Sequence, residues 1–127
     1  HVLYEPSYEG GNAVRFAITN ADAAPLGIAG IWESRPGPNG ESLLSFSMLT
    51  INADAHPLMR RFHKPADEKR MVVLLSPDRV DAWLDSGCQA APTFFVSYPA
   101  EALDAQPAPK SARQRSKEPV KTDEDAQ

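Results

Sequence analysis

Short apolar segments separated by turns rich in proline and glycine run through most of this chain and restrict it to a β-rich fold. Val14, Phe16 and Ile18 alternate with smaller or more polar residues, a period of two that predicts a half-buried strand. Turn-forming residues follow at 20–25 and 35–40. Tight loops of this kind favour antiparallel neighbours. Further strands are predicted at 26–32, 43–52, 70–75 and 94–98.

Helical signals are short and few. Asp54 is a predicted N-cap for a helix that ends near Arg61, because an Asp carboxylate accepts hydrogen bonds from the free N–H groups of a first turn. Ser76 followed by Pro77 predicts the start of a helix over 77–85 that turns Val80, Trp83 and Leu84 inward. The fold class expected is therefore α+β, with mostly antiparallel strands and short helices.

The composition changes near the C-terminus. Residues 106–127 contain five basic and four acidic side chains, three prolines and one larger aliphatic residue, Val120. Such a segment cannot bury enough apolar surface to offset the entropy of ordering, so a disordered tail is predicted after a domain at 1–105.

Several classes of function are disfavoured by the residues present. The longest apolar run, Met71–Leu75, has the length of a strand, which gives no membrane span. The first residues lack the pattern of a secretory signal, so a cytoplasmic protein is expected. The single cysteine, Cys88, excludes an internal disulfide and is interpreted as a spectator thiol. His56 and His63 have no ligand-spaced partners, so no metal and no cofactor is expected.

A local basic patch stands out against a net charge of −4. Residues 1–105 carry 8 basic and 13 acidic groups, yet one stretch concentrates Arg60, Arg61, His63, Lys64, Lys69 and Arg70. This distribution fits a small phosphate-binding footprint and does not fit a long non-specific contact with nucleic acid.

An ordered series of short motifs gives the strongest signal. It comprises AGIWE at 29–33, SFSMLT at 45–50, NAD at 52–54, His63 with Arg70-Met71 ahead of VVLL, and DAWL at 81–84. In order and spacing the series resembles the SOS response-associated peptidase (SRAP) family over about residues 1–105. The resemblance implies the C-terminal part of an SRAP domain, with strands curling toward a partial barrel and short helices at its rim.

The same resemblance assigns candidate catalytic residues. Tyr4-Glu5-Pro6 matches the family's tyrosine–glutamate motif, which gives Glu5 the role of general acid and base. The family histidine corresponds to His63. Six residues separate His63 from Arg70 here, where a single residue does so in the common pattern, and His56 remains the alternative for the family histidine.

The resemblance also implies a function and a partner. SRAP proteins sense abasic sites in single-stranded DNA during the DNA damage response. An N-terminal cysteine forms a thiazolidine crosslink with the sugar aldehyde, and the family name reflects an autoproteolytic or peptidase activity. Here Arg70, Thr50, Arg60 and Arg61 are the predicted DNA-binding residues, with Trp32 or Phe62 as a stacking face.

The nucleophile itself is not found in these residues. The chain starts with His1, and the family cysteine would lie upstream. Whether this chain is an enzyme is therefore open: the expectation is a monomeric SRAP crosslinking enzyme of the lyase or hydrolase type whose cysteine lies elsewhere. The alternative is an inactive truncated fragment with residual DNA binding or no independent function.

Overall fold

A computed structural model describes residues 1–111 of the chain. The strands are β1 (Leu3–Ser7), β2 (Val14–Asn20), β3 (Gly27–Ile28), β4 (Gly30–Pro36), β5 (Ser42–Met48), β6 (Thr50–Asn52), β7 (Arg70–Val72), β8 (Leu74–Leu75) and β9 (Leu103–Pro107). The helices are α1 (Val80–Asp85) and short 3-10 turns at Met59–Arg61, Pro77–Arg79, Ala91–Phe94 and Ala100–Ala102. The predicted β-rich, antiparallel character is confirmed, since all five strand pairings are antiparallel.

One three-stranded sheet is built by the two ends of the described chain. Its order is β1-β2-β9, with the alternating strand β2 in the centre. Ile18 of β2 is completely buried, and Phe16 packs against the same core. The period of two in the sequence therefore corresponds to one buried face, as a half-buried strand requires.

Three two-stranded ribbons, β3-β8, β4-β5 and β6-β7, radiate from a common junction. Each predicted strand at 26–32, 43–52 and 70–75 is interrupted once, at Ala29, Leu49 and Val73 respectively. These three residues hydrogen-bond to one another in a ring: Ala29 N–H donates to Val73 O (2.9 Å), Val73 N–H to Leu49 O (2.9 Å) and Leu49 N–H to Ala29 O (3.0 Å). Each strand thus changes partner at the junction while its backbone groups stay paired.

Gly30 allows the hairpin β4-β5 to leave this junction. A Cβ atom at position 30 would lie 2.9 Å from the carbonyl oxygen of Ser47, closer than real Cβ contacts come. Glycine is therefore required where β4 passes this close to β5.

The main core lies between the β1-β2-β9 sheet and the β6-β7 ribbon. Its fully buried side chains include Ile18, Met59, Phe62 and Met71. A second cluster contains Ala29, Val73, Leu75 and Phe94, against which Trp83 packs. Leu84 was predicted to face inward with Trp83, but it is exposed.

The helix predicted from Asp54 is not present. A turn occupies 54–58, and only Met59–Arg61 forms a 3-10 helix. His56 caps this turn, because its Nδ1 accepts hydrogen bonds from the N–H groups of Leu58 (3.2 Å) and Met59 (3.0 Å). The capping side chain is therefore His56 and not the predicted Asp54.

The strand predicted at 94–98 is also wrong. Ala91–Phe94 is a 3-10 helix, and the N–H of Phe95 bonds back to Pro92 O. Phe94 is buried against Trp83, with ring centroids 5.4 Å apart, so a side-chain contact replaces the strand pairing.

The last strand extends beyond the predicted start of the tail. Gln106 and Pro107 belong to β9, paired with Ala17 and Phe16, and Ala108 N–H bonds to Arg15 O. Most of the predicted tail, residues 112–127, lies outside the described residues. Within residues 1–111 the sheets do not close into a barrel, so the partial barrel stays a prediction. No helix in that range is long and apolar enough to cross a membrane.

A pair of phenylalanines tests this assignment of the core. Phe62 is 0% exposed and Phe46 is 84% exposed. We expect Phe62→Ala to lower the free energy of unfolding by about 3–5 kcal/mol, because it leaves a cavity. Phe46→Ala should change it by less than about 0.5 kcal/mol. Urea denaturation followed by circular dichroism measures both, and equal effects would contradict the burial pattern.

Candidate functional site

The inward face of β1 carries a carboxylate. Glu5 is directly opposite Phe16 in the register with β2, on the same face as Leu3, which packs against the core. The Glu5 side chain is only 14% exposed. A carboxylate in such a position is unusual, since acidic groups are rarely buried unless they are paired.

The partner of Glu5 is His63. Phe62 is anchored in the core and forms a β-bridge with Ser7, and His63 N–H then donates to Pro6 O at 2.7 Å. These contacts lay the chain beside the free edge of β1. His63 Nε2 lies 3.1 Å from Glu5 Oε2, so the two predicted catalytic side chains are in direct contact.

The backbone of His63 is strained. Its φ angle is +67°, in the left-handed region that residues other than glycine seldom adopt. Such conformations persist only where the surroundings impose them, and they concentrate at functional sites. Here the surroundings are the bond to Pro6 and the loop that follows.

Lys69 holds that loop in place. Its ammonium group donates to the carbonyl oxygens of Phe62 (2.8 Å), His63 (3.1 Å) and Lys64 (2.9 Å), which uses all three N–H donors. The six residues between His63 and Arg70 are thereby held against the backbone around His63. The enlarged loop supports the position of His63 rather than displacing it.

Burial is the main influence on the pKa of Glu5. Removal of water raises the pKa of Glu5 above its ordinary value, and the nearby positive charge of His63 opposes this only in part. Glu5 therefore keeps its proton to higher pH than an exposed carboxyl does. A carboxyl whose pKa is raised is a better candidate for proton donation than an exposed carboxyl.

Glu5 and His63 each line an open cleft. Glu5 lines one of about 680 Å³ together with Tyr4, Pro6, Ala13, Arg15, Pro109 and Lys110. His63 lines another of about 430 Å³ together with Tyr8, Glu9, Arg60, Arg61, Pro65 and Lys69. Both volumes lie in the range of small-molecule sites. The two residues in contact therefore belong to the linings of different clefts.

Two of the predicted DNA-binding residues lie in the second cleft. Arg60 and Arg61 line it with His63. Arg61 also forms a two-pronged ion pair with Glu9, at 3.0 and 3.3 Å, which lowers the pKa of Glu9. Both side chains of that pair are exposed, so phosphate could compete for the guanidinium.

The other two predicted DNA-binding residues lie together but elsewhere. Arg70 donates to Thr50 Oγ1 (3.0 Å), to Thr50 O (2.9 Å) and to Glu68 Oε1 (2.9 Å) across the β6-β7 ribbon. Neither Arg70 nor Thr50 lines the clefts at Glu5 and His63. Their bonds to each other account for their conformation without a ligand.

The alternative histidine is part of the core. His56 is buried, its Nδ1 accepts two backbone hydrogen bonds, and its Nε2 lies 2.6 Å from Tyr98 O. Because Nδ1 accepts, Nε2 must carry the proton that it donates to Tyr98 O. Both nitrogens are thus used within the fold, which favours His63 as the residue at the site.

Further candidates are separated from the site. Phe62 is fully buried and offers no face for base stacking, whereas Trp32 is exposed on the β4-β5 hairpin. Cys88 is exposed in a turn after α1. Among residues 1–111, no group of three or more His, Cys, Asp or Glu side chains could hold a metal ion.

An aromatic–cation pair formed by Tyr4 and Arg15 was not predicted from the sequence. The Arg15 guanidinium lies 4.4 Å from the centroid of the Tyr4 ring, and Arg15 Nε donates to Ala108 O at 2.7 Å. Both residues line the first cleft. The only signal in the sequence was an arginine on the outward face of an alternating strand, a position typical of ordinary surface residues.

Comparison with known proteins identifies the family. A family model described as SOS response associated peptidase (SRAP) matches residues 2–114. The chain belongs to the SRAP family. Membership associates it with the SOS response and thus with DNA damage. No curated protein matches the chain.

Two solved structures share this SRAP fold. A structural-genomics protein from Bordetella bronchiseptica is 43% identical, with a TM-score of 0.81, over 84% of this chain and 51% of its own. One from Bacteroides thetaiotaomicron is 21% identical, with a TM-score of 0.70, over 82% of this chain and 44% of its own; it supports the fold alone. The chain therefore spans about half the length of the solved structures that it matches.

The burial of Glu5 and the charge of His63 predict how the pKa of Glu5 is shifted. A Glu5 carboxyl resonance followed by NMR should give a pKa above the ordinary value of a glutamate. His63→Gln, which keeps a polar side chain of similar reach but removes the positive charge, should raise the pKa of Glu5 further. A lowered value would contradict the proposed balance of burial and charge.

The raised pKa of Glu5 also makes the free energy of unfolding depend on pH. Because the folded-state pKa of Glu5 lies above its unfolded value, the folded state binds more protons in that interval. The Glu5 contribution to the free energy of unfolding is therefore greatest at low pH and decreases as pH rises through the folded-state pKa. Glu5→Gln should make this decrease smaller.

Lys69 can be tested as the residue that holds the loop. Lys69→Met keeps the aliphatic stem but removes three charged hydrogen bonds, so we expect the free energy of unfolding to fall by about 1–3 kcal/mol. Amide hydrogen exchange should accelerate at 63–69. Lys64→Met is the matched control, since its side chain is exposed. Unchanged exchange in Lys69→Met would contradict this role.

Proposed function

We propose that this chain supplies the acid–base half of an SRAP site that senses abasic sites in single-stranded DNA by a covalent crosslink. The observation that carries the proposal is the 3.1 Å contact between His63 and a largely buried Glu5, each of which lines an open cleft. The family match supports it, because the site lies within residues 2–114.

The chemistry requires proton transfer at two points. An abasic sugar exists as a closed hemiacetal and an open aldehyde, and His63 assists opening by donating to the ring oxygen. The amine and thiol of an N-terminal cysteine then add to the aldehyde carbon to form a thiazolidine. One amine hydrogen and the thiol hydrogen leave with the aldehyde oxygen as water. Glu5, whose pKa is raised, protonates that departing oxygen.

The clefts supply positive charge for the DNA backbone. Arg60 and Arg61 line the cleft that His63 lines, and Arg15 lines the cleft that Glu5 lines. Phosphates beside the abasic sugar would contact these groups while Tyr4, half exposed under Arg15, offers an aromatic face. Arg70 and Thr50 would contact the strand only where it runs onto the β6-β7 ribbon.

The cysteine would come from the half of the SRAP fold that these residues do not span. With that half present, the sheets would close toward the partial barrel, and the crosslinking or peptidase chemistry named for the family would become available. The protein would act as a monomer on DNA in the cytoplasm. The basic cleft alone favours a second candidate, non-covalent binding of single-stranded DNA by a catalytically inactive fragment.

A denaturing gel separates these functions. The chain is incubated with a single-stranded oligonucleotide that carries one abasic site, alone and after fusion to the remaining half of an SRAP domain with its N-terminal cysteine. We expect no heat-stable crosslink from the chain alone and a crosslink from the fusion. A crosslink formed by the chain alone would overturn the proposed source of the nucleophile.

The residue roles are tested in the fusion. Glu5→Gln and His63→Ala should each slow crosslinking or its reversal by about 10²–10⁴-fold, the contribution typical of general acid–base groups. Glu101→Gln, an exposed carboxylate outside both clefts, is the control. Normal rates in both site variants would show that Glu5 and His63 take no part in the mechanism.

The residues proposed to contact DNA are tested by non-covalent affinity for single-stranded DNA. Loss of affinity in Arg60→Gln but not in Arg35→Gln would support contact of the strand with the cleft that Arg60 lines.

A further inference from the structure

Two of the arginines predicted to bind DNA each form an ion pair with a glutamate. Arg61 pairs with Glu9 at 3.0 Å, and Arg70 pairs with Glu68 at 2.9 Å. Within residues 1–111 the only other ion pair is the one at the candidate site. In that range the carboxylates that pair with arginine therefore lie at predicted DNA-binding positions and at no other arginine.

The contact between Glu9 and Arg61 has the geometry of a phosphate contact. Arg61 Nε and Nη2 donate to the two carboxylate oxygens of Glu9 at 3.0 and 3.3 Å. A phosphate group accepts hydrogen bonds from a guanidinium in the same two-pronged way. The hydrogen bonds from Arg61 lower the pKa of Glu9, so Glu9 stays ionised to lower pH than an ordinary carboxyl. Glu9 is thus a charged occupant of the position on Arg61 that a phosphate would take.

Glu68 pairs with Arg70 and is itself held in place. Its Oε1 accepts hydrogen bonds from Arg70 Nη1 at 2.9 Å and from the side-chain amide of Asn52 at 3.2 Å. Arg70 Nε and Nη2 donate to Thr50, so each guanidinium nitrogen has a partner within the fold. A phosphate bound by the other N–H groups of Arg70 would lie beside the Glu68 carboxylate, and like charges repel.

Both ion pairs are open to solvent. The side chains of Arg61 and Glu9 are 40% and 54% exposed, and those of Arg70 and Glu68 are 44% and 59% exposed. Exposed ion pairs are weak, because water and salt screen them. A phosphate can therefore displace either carboxylate, but its binding is weakened by the free energy of the ion pair that it breaks.

Arg60 provides a comparison within the same cleft. It lines the cleft with Arg61 but forms no ion pair within residues 1–111. A phosphate contact with Arg60 breaks no such pair, whereas a contact with Arg61 does. Arg60→Gln should therefore weaken the binding of single-stranded DNA more than Arg61→Gln does.

We propose that Glu9 and Glu68 compete with DNA phosphates for Arg61 and Arg70, which keeps the non-covalent affinity of this chain for single-stranded DNA low. The proposal rests on the proposed function for the identity of the ligand, but it does not depend on the crosslinking chemistry. Phosphate contacts are available at every nucleotide, so weak contacts let the protein leave intact DNA quickly. Discrimination then depends on the contacts made at the abasic sugar.

Replacement of the two carboxylates tests the proposal. The ligand is a fluorescently labelled oligo(dT) without an abasic site, and its binding is measured by fluorescence anisotropy at physiological ionic strength. We expect Glu9→Gln and Glu68→Gln each to tighten binding by about two- to fivefold, the range that exposed ion pairs contribute. Glu101→Gln is the control, since it changes the net charge equally at an exposed carboxylate that forms no ion pair within residues 1–111.

A double-mutant cycle separates competition for an arginine from a general effect of charge. Because Glu9 acts by pairing with Arg61, Glu9→Gln should not tighten binding in an Arg61→Gln background. In the same way, Glu68→Gln should have no effect in an Arg70→Gln background. Tightening by Glu9→Gln that is equal with and without Arg61 would contradict the proposal.

Two further results would overturn the proposal. Weaker binding in Glu9→Gln and Glu68→Gln would show that the carboxylates orient the arginines for phosphate. Affinities equal to that of Glu101→Gln would show that the ion pairs do not limit binding at all. Thermal unfolding checks that each variant keeps its fold. Because the oligonucleotide contains no abasic site, these outcomes are independent of success or failure in the crosslinking assay.

Discussion

The ring of three backbone hydrogen bonds among Ala29, Leu49 and Val73 is the constraint on which the other strands depend. Each residue donates to one neighbour and accepts from the other, at 2.9–3.0 Å. Ala29 and Val73 are completely buried, so an unpaired group there would be costly. Because the ring fixes where three strands change partner, it sets the directions of the β3-β8, β4-β5 and β6-β7 ribbons together.

The position of the Glu5–His63 pair follows from this framework. The loop that carries His63 begins at Phe62, which is buried in the main core, and ends at Lys69, directly before β7. Both ends are fixed, one by packing and the other by the ribbon. The backbone between them accepts the strained conformation at His63 because the bonds to Pro6 and Lys69 hold it there. Precision at the site is thus provided by the scaffold.

Much of this fold could be predicted from local pattern, and the rest depended on contacts between distant residues. Alternation located β2, and apolar runs located the strands of the junction. The interruptions could not be predicted, because Ala29, Leu49 and Val73 are ordinary apolar residues whose change of partner is a tertiary effect. The capping residue is His56 and not the predicted Asp54, and the position of His56 also depends on a tertiary contact, its hydrogen bond to Tyr98 O. Glu5 and His63 were both assigned to the catalytic site through family motifs, since no rule of sequence spacing relates residues so far apart.

The raised pKa of Glu5 is a consequence of its burial. Removal of water is the larger influence on Glu5, and the charge of His63 opposes it. A ligand that fills the clefts would remove more water from Glu5, while the 3.1 Å contact with His63 would remain. The balance would then move further toward the protonated carboxyl. Occupation of the clefts would therefore raise the pKa of Glu5 further.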